Sequence, residues 1–541
     1  MRLLLALAAA LATPLAAQPT SDWDVLGRIR DEGFHRSQVM DHARYLTDSI
    51  GARLTGSPAL AAANAWTRER FAAWGLADAR LEPFEFGEGW SFTRAEARLL
   101  SPAPALLLGL PKAWTPATGG ALRGPALEVA LDSLADVEAL SGKVAGRILV
   151  VVEKEERKDP AAPMFRRHDA ASLAELAEFD VPDERDPEAR SKKMRERRRV
   201  WRAANQLFAA EGALATIEAS SFAHGAVRVG GGGNLGLPEE PLGVPGLVLA
   251  VESFDRILRL LRAGAAVELE LAVEATFHRD TTAVANTLAD LPGRDPRGEV
   301  VMAGAHLDSW HAGTGATDDA AGVAVVMEAA RILKSLGVRP KRTLRFALWA
   351  GEEQGLLGSK AYVAEHLAER PAPTDPEELA RPPRFRRETW PVRPRPEHAR
   401  FAAYFNVDNG GGRIRGLYAQ GNLGARQLFA RWLEPLADLG AATVTMENTG
   451  STDHVPFDRA GLPGFQFIQD ELDYMTRTHH SNLDTYEHLD REDLMQAAVV
   501  LASVLWQAAE LDGPFPRKQM PQGPQAPAPE SPAKPAPAQL R

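Results

Sequence analysis

The sequence GAHLDSWHAGTGATDD, residues 304–319, lies between an apolar run and a helical pattern. The apolar run Val300–Ala305 predicts a buried strand, and residues 320–336 carry apolar side chains at helical spacing. In open α/β sheets, ligands bind beyond the carboxyl ends of the strands. His306 and Asp318 follow such a strand, and neutral imidazole and carboxylate are ligands that suit zinc. The stretch therefore predicts a metal site at the edge of a sheet.

Metal-type side chains occur at five places in the same half of the chain, each just beyond a predicted strand. They are His306 with Asp308, the pair Asp318 and Asp319, the pair Glu352 and Glu353 in GEEQG after the strand 343–350, Asp408 in FNVDNGG after the strand 402–407, and His480 in HHSNLDT after the strand 464–468. Each alone has an ordinary explanation, such as a solvated loop or a helix cap. Their coincidence favours one shared site.

Two cations about 3.5–4 Å apart need a bridging carboxylate and roughly one histidine and one carboxylate each. The five places supply these groups and leave one glutamate spare, which is the expected general base beside a metal-activated water. Asp308 is expected to orient His306 through the other ring nitrogen. The zinc-protease motif HExxH and the serine-hydrolase motif GxSxG are both absent from the sequence.

Composition narrows the classes of function. A chain of 541 residues is long enough for two to four domains. The net charge of −10, with both signs spread along the chain, argues against nucleic acid or an anionic membrane as the main partner. The chain has no cysteine, which excludes disulfides, thiolate metal ligands, a cysteine nucleophile and a lipoprotein anchor.

The N-terminus is typical of a secretory signal. Arg2 precedes the apolar run Leu3–Leu11, and small residues allow cleavage after Ala17. A transmembrane anchor is the alternative, but the run is shorter than the roughly 20 residues that span a bilayer. We expect residues 1–17 to be a signal peptide and the protein to be secreted, in a bacterial periplasm.

Composition and predicted secondary structure divide the remaining chain into four regions. Residues 18–119 begin with helical patterns and are expected to contribute to the main domain, residues 281–511, in which strands and helices alternate. Residues 120–280 predict a smaller β-rich domain that contains a charged helical insertion at 153–202. Residues 512–541, rich in Pro, Ala and Gln, predict a disordered tail.

Three segments have simpler interpretations. The basic run SKKMRERRR, residues 191–199, predicts a solvated helix face. The four glycines 230–233 lack a following Lys-Ser/Thr and predict a loop without a phosphate site. Residues 369–399, rich in Pro, Arg and Glu, predict a long surface insertion.

The combination of HLD, DD followed by AAGVA, GEEQGLLGS, Asp408 and HSNLDT resembles the M28 family of co-catalytic dizinc exopeptidases over roughly residues 283–511. Residues 45–91 resemble the carboxypeptidase Q branch, in which a protease-associated (PA) domain precedes the peptidase domain. The resemblance implies an α/β fold: a mixed, mostly parallel sheet flanked by helices, with an inserted β-rich PA-type domain at 120–280.

The resemblance also implies roles for individual residues. Asp318 would bridge two zinc ions, of which one also takes His306 and Asp408 and the other Glu353 and His480. Glu352 would be the general base for a hydroxide shared by the two ions. His480 is preferred over His479, because Ser481, Asp484 and Thr485 follow it in the register of the family motif.

Four further residues are candidates for contact with substrate. Asp453 and His454 lie in STDHVPF, similar to an element near family active sites, although Thr452 separates Ser451 from Asp453. His479 adjoins a predicted ligand, and His311 lies in the loop between ligands. The alternative for each is a structural role.

The implied function is a secreted exopeptidase that uses two zinc ions to hydrolyse short peptides or dipeptides with free termini. An aminopeptidase on longer peptides is the first alternative. A non-catalytic binding protein is less favoured, because the ligand set and Glu352 are intact. A glutaminyl cyclase-like enzyme is also less favoured, because that branch resembles this chain less, lacks the PA domain and usually uses one zinc ion. Cobalt or manganese is open as the native metal. Candidate roles for the PA-like region are gating the cleft, binding a partner or forming a homodimer.

Overall fold

The computed structural model describes most of the chain and omits both termini. The described residues are 22–152, 163–179, 187–280, 283–295 and 297–523. The predicted signal peptide lies outside them, as do parts of the charged insertion and the residues after 523. Among the described residues, no helix is both long enough and apolar enough to cross a membrane.

Among the described residues, eighteen strands occur between Ala77 and Gln469. They are β1 (Ala77–Glu85), β2 (Gly89–Ser101), β3 (Ala105–Leu107), β4 (Gly109–Pro111), β5 (Leu122–Ala130), β6 (Ile148–Val152), β7 (Ala215–Ala219), β8 (Gly246–Leu249), β9 (Glu268–His278), β10 (Ala283–Leu291), β11 (Val300–His306), β12 (Thr343–Trp349), β13 (Ala368–Glu369), β14 (Arg393–Pro394), β15 (Phe401–Asn406), β16 (Ile414–Tyr418), β17 (Thr443–Thr445) and β18 (Gly464–Gln469).

The α-helices alternate with the strands in the second half of the chain. They are α1 (Asp22–His35), α2 (Val39–Arg44), α3 (Pro58–Ala73), α4 (Leu134–Ala139), α5 (Ala170–Ala177), α6 (Pro187–Glu211), α7 (Val251–Arg262), α8 (Ala321–Ser335), α9 (Leu357–Tyr362), α10 (Pro376–Leu379), α11 (Leu423–Leu433), α12 (His454–Arg459) and α13 (Arg491–Glu510). Short π-helical turns include Tyr45–Ile50, Ala316–Ala320, Val363–Leu367 and Tyr474–Thr478, and short 3-10 turns include Pro383–Phe385, Pro396–Arg400, Glu434–Leu439 and Tyr486–His488.

The first large sheet has eight strands in the order β1-β10-β12-β11-β15-β18-β16-β17. Its four central strands, β12 to β18 in that order, are parallel, whereas β1 with β10, β10 with β12, and β16 with β18 are antiparallel. The predicted mixed, mostly parallel sheet flanked by helices is confirmed. Since the central strands are parallel, their carboxyl ends meet at one edge of the sheet.

Helices cover both faces of this sheet. On one face, α8 and α13 pack with α1 and α2 into the largest apolar core of the described residues. On the other, Phe457 of α12 stacks on Tyr404 and packs against Trp349. Strands β15 and β18 are buried at every position, because both of their faces contact a helical layer.

A second eight-stranded sheet has the order β3-β2-β9-β5-β6-β7-β8-β4. Its longest pairing joins β2 to β9 antiparallel, and β5 to β8 run parallel. Helix α7 packs on one face through Phe254 and Ile257, and α6 packs on the other through Val200 and Phe208. The second sheet therefore has its own core, as expected of a separate β-rich domain.

The second sheet begins earlier in the chain than the sequence predicts. Strands β2, β3 and β4 belong to it, although the predicted boundary placed residues up to 119 with the main domain. That boundary is wrong, because only β1 pairs with the first sheet, through β10. Strand-like residues on both sides of 86–88 have the same local pattern, so the change of sheet depends on distant pairing.

Two local predictions are confirmed. The basic run 191–199 lies within α6, where the described side chains from Lys192 to Arg199 are mostly exposed. The glycines 230–233 form turns and a single bridge rather than the start of a helix.

The predicted disordered tail is wrong for residues 512–523. This segment has no helix or strand, but Phe515 is buried between Trp432 and Phe465, with ring centroids 6.1 and 5.8 Å away. Arg517 donates hydrogen bonds to carbonyl oxygens at His398 and Phe401. Proline excludes regular structure here, but a single aromatic anchor and a few side-chain hydrogen bonds fix the segment. The rest of the predicted tail lies outside the described residues.

We expect Phe515→Ala to lower the free energy of unfolding by about 2–4 kcal/mol, because it removes a buried ring from the main core. Urea denaturation followed by tryptophan fluorescence measures the change. Met520→Ala, on the same segment but 38% exposed, is the matched control and should have little effect. Equal stability of Phe515→Ala and wild type would contradict the packing of this segment.

Candidate metal centre

The parallel strands deliver the predicted site residues to one edge of the first sheet. His306 is the last residue of β11, Glu352 and Glu353 follow β12, and Asp408 follows β15. These strands are neighbours, with β11 in the middle. Residues separated by a hundred positions in sequence therefore come together because each follows a strand in one parallel block.

One group of donors surrounds His306. Its Nε2 lies 3.2 Å from Asp318 Oδ1 and 3.7 Å from Asp408 Oδ1. All three side chains are buried, and one donor atom of each lies within 4.8 Å of the others. Asp318 reaches this group from the π-helical turn that precedes α8.

A second group of donors lies near Oδ2, the other oxygen of the Asp318 carboxylate. His480 Nε2 is 3.3 Å from Asp318 Oδ2 and 3.0 Å from Glu353 Oε2. His479 Nε2 is 3.9 Å from Asp318 Oδ2, so Asp318, His479 and His480 also form a compact donor group. Asp318 thus presents one oxygen to each group, which is the arrangement of a bridging ligand.

The residues present fit two zinc ions. His306 Nε2, Asp318 Oδ2 and Glu353 Oε1 are buried and have no hydrogen-bond partner in the described part of the chain. Buried polar atoms are normally satisfied, so atoms left without a partner that converge on one place call for a cation. Imidazole and carboxylate donors without cysteine suit zinc. Their assignment as ligands stays a prediction.

The charges of the site favour a cation as well. Burial alone would lower the pKa of His306, but Asp408 and Asp318 raise that pKa well above its usual range. Burial raises the pKa of Glu353 well above its usual range, and Asp318 raises it further. A positive charge in this place is therefore stabilised, whether a proton or a metal ion supplies it.

Comparison with protein families matches residues 286–505 to peptidase family M28. This part of the chain belongs to family M28. Carboxypeptidase Q from Mus musculus is 30% identical over 274 residues, which are 51% of this chain and 52% of the relative. The chain thus spans about half the length of the curated relative that it matches.

Solved structures match over a larger part of the chain. The peptidase M28 precursor from Shewanella amazonensis superposes with a TM-score of 0.67 at 25% identity, covering 93% of this chain and 99% of that chain. A zinc aminopeptidase from Bacillus subtilis has the same fold, with a TM-score of 0.53, 20% identity, and coverage of 88% and 95%. The M28 fold therefore extends beyond residues 286–505 and includes both sheets.

Glu352, the predicted general base of the M28 site, is buried in the turn that follows β12. Burial raises the pKa of Glu352 well above its usual range; His306 opposes this shift, and Asp408 and Asp453 add to it. Its carboxylate thus lies in a strongly acidic, desolvated surrounding. Such a group binds a proton readily, as proton transfer near neutral pH requires.

The predicted role of Asp308 is wrong in one respect. His306 Nδ1 lies 2.9 Å from the backbone oxygen of Asp308, whereas the Asp308 carboxylate is 3.8 Å away, beyond hydrogen-bond distance. That carboxylate instead accepts hydrogen bonds from the backbone N–H groups of Glu352 and Glu353 and from the Thr55 hydroxyl. Asp308 therefore orients the ring through its main chain and positions the two glutamates through its side chain.

Asp319, the second acid of the pair, supports the site. Its carboxylate accepts hydrogen bonds from the N–H groups of His306, at 3.3 Å, and Gly322, at 2.9 Å. A Cβ at Gly322 would lie 2.4 Å from Asp319 Oδ1 and 2.5 Å from the Val407 carbonyl oxygen. Glycine thus follows the acids because the start of α8 approaches both Asp319 and the main chain after β15.

His311 does not join the donor groups. Its Nε2 lies 2.7 Å from the Pro111 carbonyl oxygen of the second sheet, and the ring packs between Trp90 and Phe92. Burial lowers its pKa to about 4. The neutral ring thus joins the two sheets, so the predicted position facing the cleft is wrong.

Asp453 and His454 lie at the start of α12, and both are buried. Asp453 accepts a hydrogen bond from the Ser359 hydroxyl, and burial raises its pKa to about 7. His454 Nε2 lies 2.8 Å from Gln420 Nε2 and 3.1 Å from the Thr449 carbonyl oxygen. Contact of either residue with substrate stays a prediction.

Three further residues position the site, and the sequence analysis missed two of them, Trp310 and Arg53. Trp310 Nε1 donates a hydrogen bond of 2.7 Å to Glu353 Oε2. Arg53 is fully buried and donates to the carbonyl oxygens of Leu307 and Gly315, which fixes the loop after β11. Asp484 accepts from the Thr317 N–H and hydroxyl, next to Asp318. The family register marked Asp484, but no local pattern distinguishes Arg53 or Trp310 from surface residues.

The second sheet's domain contributes one wall of the site. The Val229 N–H donates to the His480 carbonyl oxygen at 2.9 Å, and the Val227 N–H donates to Asn482 Oδ1 at 2.6 Å. Arg228 lies between them, with Nη2 3.2 Å from His479 Nδ1. The loop that carries both histidines is therefore held by residues of the other domain.

We expect the purified zinc-loaded protein to contain two zinc ions and the Asp318→Ala variant to lose both, because each donor group depends on one Asp318 oxygen. Elemental analysis after removal of free metal measures the stoichiometry. Asp41→Ala, at an exposed position of α2, is the control and should retain two ions. Two zinc ions in Asp318→Ala would contradict the bridging role.

Proposed function

We propose that the chain is a zinc-dependent exopeptidase that hydrolyses short peptides, dipeptides in particular, with free termini. The observation that carries this proposal is the position of the buried Asp318 carboxylate, which presents one oxygen to each of two donor groups. Glu352, which is also buried, belongs to neither group and is free to act as a base. Membership of family M28 and the match to carboxypeptidase Q support it.

In this proposal His306, Asp318 and Asp408 would hold one zinc ion, and Asp318, Glu353 and His480 would hold the other. His479 lies close enough to Asp318 to assist the second group. When bound, the zinc ions would lower the pKa of a water molecule and polarise the scissile carbonyl. His306 is held for this role by the contact of its Nδ1 with the Asp308 backbone oxygen, which leaves Nε2 for the metal.

Glu352 moves the proton in the proposed reaction. It takes a proton from the attacking water and transfers it to the nitrogen of the leaving amine. Its backbone N–H donates to Asp308 Oδ1 at 3.2 Å, which fixes the turn that carries the side chain. General base catalysis of this kind contributes about 10²–10⁴-fold in rate.

The residues that the second sheet's domain contributes beside the donors favour a short substrate. Residues 227–229 are hydrogen-bonded to the loop of His479 and His480, so main chain from a second domain lies directly beside the donors. Trp310 packs beside the same loop, with its ring centroid 5.8 Å from that of His480. A site enclosed on this side favours substrates with few residues beyond the scissile bond.

An aminopeptidase that acts on longer peptides is the second candidate. The similarity in fold to a zinc aminopeptidase from Bacillus subtilis favours it. Both candidates use the same donors and the same base, and they differ only in what lies beyond the scissile bond. Export from the cytoplasm is part of the proposal on the basis of the signal-like composition of residues 1–17.

We expect the zinc-loaded enzyme to cleave free dipeptides and to lose activity when zinc is removed by a chelator. A panel of dipeptides and longer peptides, each free, N-acetylated and C-amidated, is resolved by mass spectrometry. Removal of the first residue from longer, C-amidated peptides would make the protein an aminopeptidase. Absence of cleavage with two zinc ions bound would refute peptide hydrolysis.

We expect Glu352→Gln to lower kcat by at least about 10²-fold while zinc content is unchanged, because the amide cannot accept the proton. Steady-state kinetics and elemental analysis on the same preparation measure the two quantities. Glu365→Gln, at an exposed position, is the matched control. Full activity of Glu352→Gln would exclude it as the base.

A further inference from the structure

Arg228 is a cation of the second sheet's domain that lies beside the metal donors. Its backbone N–H donates to Ser220 Oγ at 3.0 Å, and both neighbouring residues are hydrogen-bonded to the 480–482 loop. Its main chain is therefore fixed on two sides. The side chain is half-buried, with the guanidinium carbon 5.5 Å from the centre of the Phe222 ring.

This guanidinium has no carboxylate partner among the described residues. Its Nη2 contacts His479 Nδ1 at 3.2 Å, and its Nε is buried without an acceptor. Two other half-buried arginines are paired with acids, Arg413 with Asp493 and Arg415 with Asp470. A guanidinium that has no acid partner and lies next to the donor groups is available to an anion from outside.

A dipeptide bound for hydrolysis has its free α-carboxylate close to the proposed metal-binding side chains. Its α-carboxylate carbon is two covalent bonds from the nitrogen of the scissile amide, so a residue that binds the carboxylate must lie next to the groups that bind the amide. Arg228 meets this condition, because it contacts His479, which lies 3.9 Å from Asp318. The planar guanidinium matches a carboxylate with two parallel hydrogen bonds.

We propose that Arg228 binds the free α-carboxylate of the residue released by hydrolysis and so selects dipeptides. This inference rests on the proposed exopeptidase function and specifies its substrate class. A longer peptide has a neutral amide at the position of the carboxylate. Its binding would leave the guanidinium desolvated and unpaired, which disfavours that substrate.

Equilibrium binding tests the proposal independently of turnover. A free dipeptide and its C-terminal amide are titrated by calorimetry into the zinc-loaded Glu352→Gln protein, with and without Arg228→Gln. We expect Arg228→Gln to weaken binding of the free dipeptide about 10- to 100-fold and to leave binding of the amide unchanged, as for loss of a charge-assisted hydrogen bond. Arg228→Lys should retain part of the preference.

Steady-state kinetics of the protein that retains Glu352 provide the second readout. Arg228→Gln should raise KM for the free dipeptide with little change in kcat, and zinc content should stay at the wild-type value. Arg98→Gln, an exposed arginine of β2 in the same domain, is the control for loss of one charge.

The outcomes are distinct. Equal weakening of the free dipeptide and its amide would overturn the proposal and make Arg228 a positioning residue for His479. Unchanged binding of both would overturn it as well. If the wild type cleaves no peptide, the proposed function fails, but the calorimetric comparison still decides whether Arg228 recognises the carboxylate.

Discussion

The burial of five carboxylates at one edge of the first sheet is the constraint on which the rest of the site depends. They are Asp308, Asp318, Asp319, Glu352 and Asp408, each at most 8% exposed. Burying an unpaired carboxylate costs several kcal/mol, so each needs a compensating group. Asp308 and Asp319 obtain theirs from backbone N–H groups, and Asp318 and Asp408 lie beside His306. Burial raises the pKa of Glu352 well above its usual range, so this side chain favours the neutral form.

Compensation by backbone N–H groups also fixes geometry. The Asp308 carboxylate holds the main chain of Glu352 and Glu353, and the Asp319 carboxylate holds His306 and the start of α8. The two acids that are not predicted ligands thus position the predicted ligands and the predicted base. A site built in this way is rigid because its supports are main-chain hydrogen bonds within a buried, low-dielectric region.

Much of this arrangement could be predicted from the sequence, because it follows from strand ends. His306, Asp408 and the glutamates each follow an apolar strand, and parallel strands bring their carboxyl ends together. Features that depend on distant contacts could not be predicted. The ring of His311 turned toward Pro111, the change of sheet after β1 and the packing of Phe515 have no local pattern, because their partners lie far away in sequence.

The adjacent histidines show why the second sheet is part of the site. Neighbouring side chains in an extended segment point to opposite sides, yet His479 and His480 both face Asp318. His480 achieves this with a φ of +62°, a left-handed conformation that is unfavourable for a residue with a side chain. The Val229 N–H holds the His480 carbonyl oxygen in that conformation, and Arg228 contacts His479 Nδ1. The second sheet's domain therefore stabilises the backbone that turns both rings toward the Asp318 carboxylate.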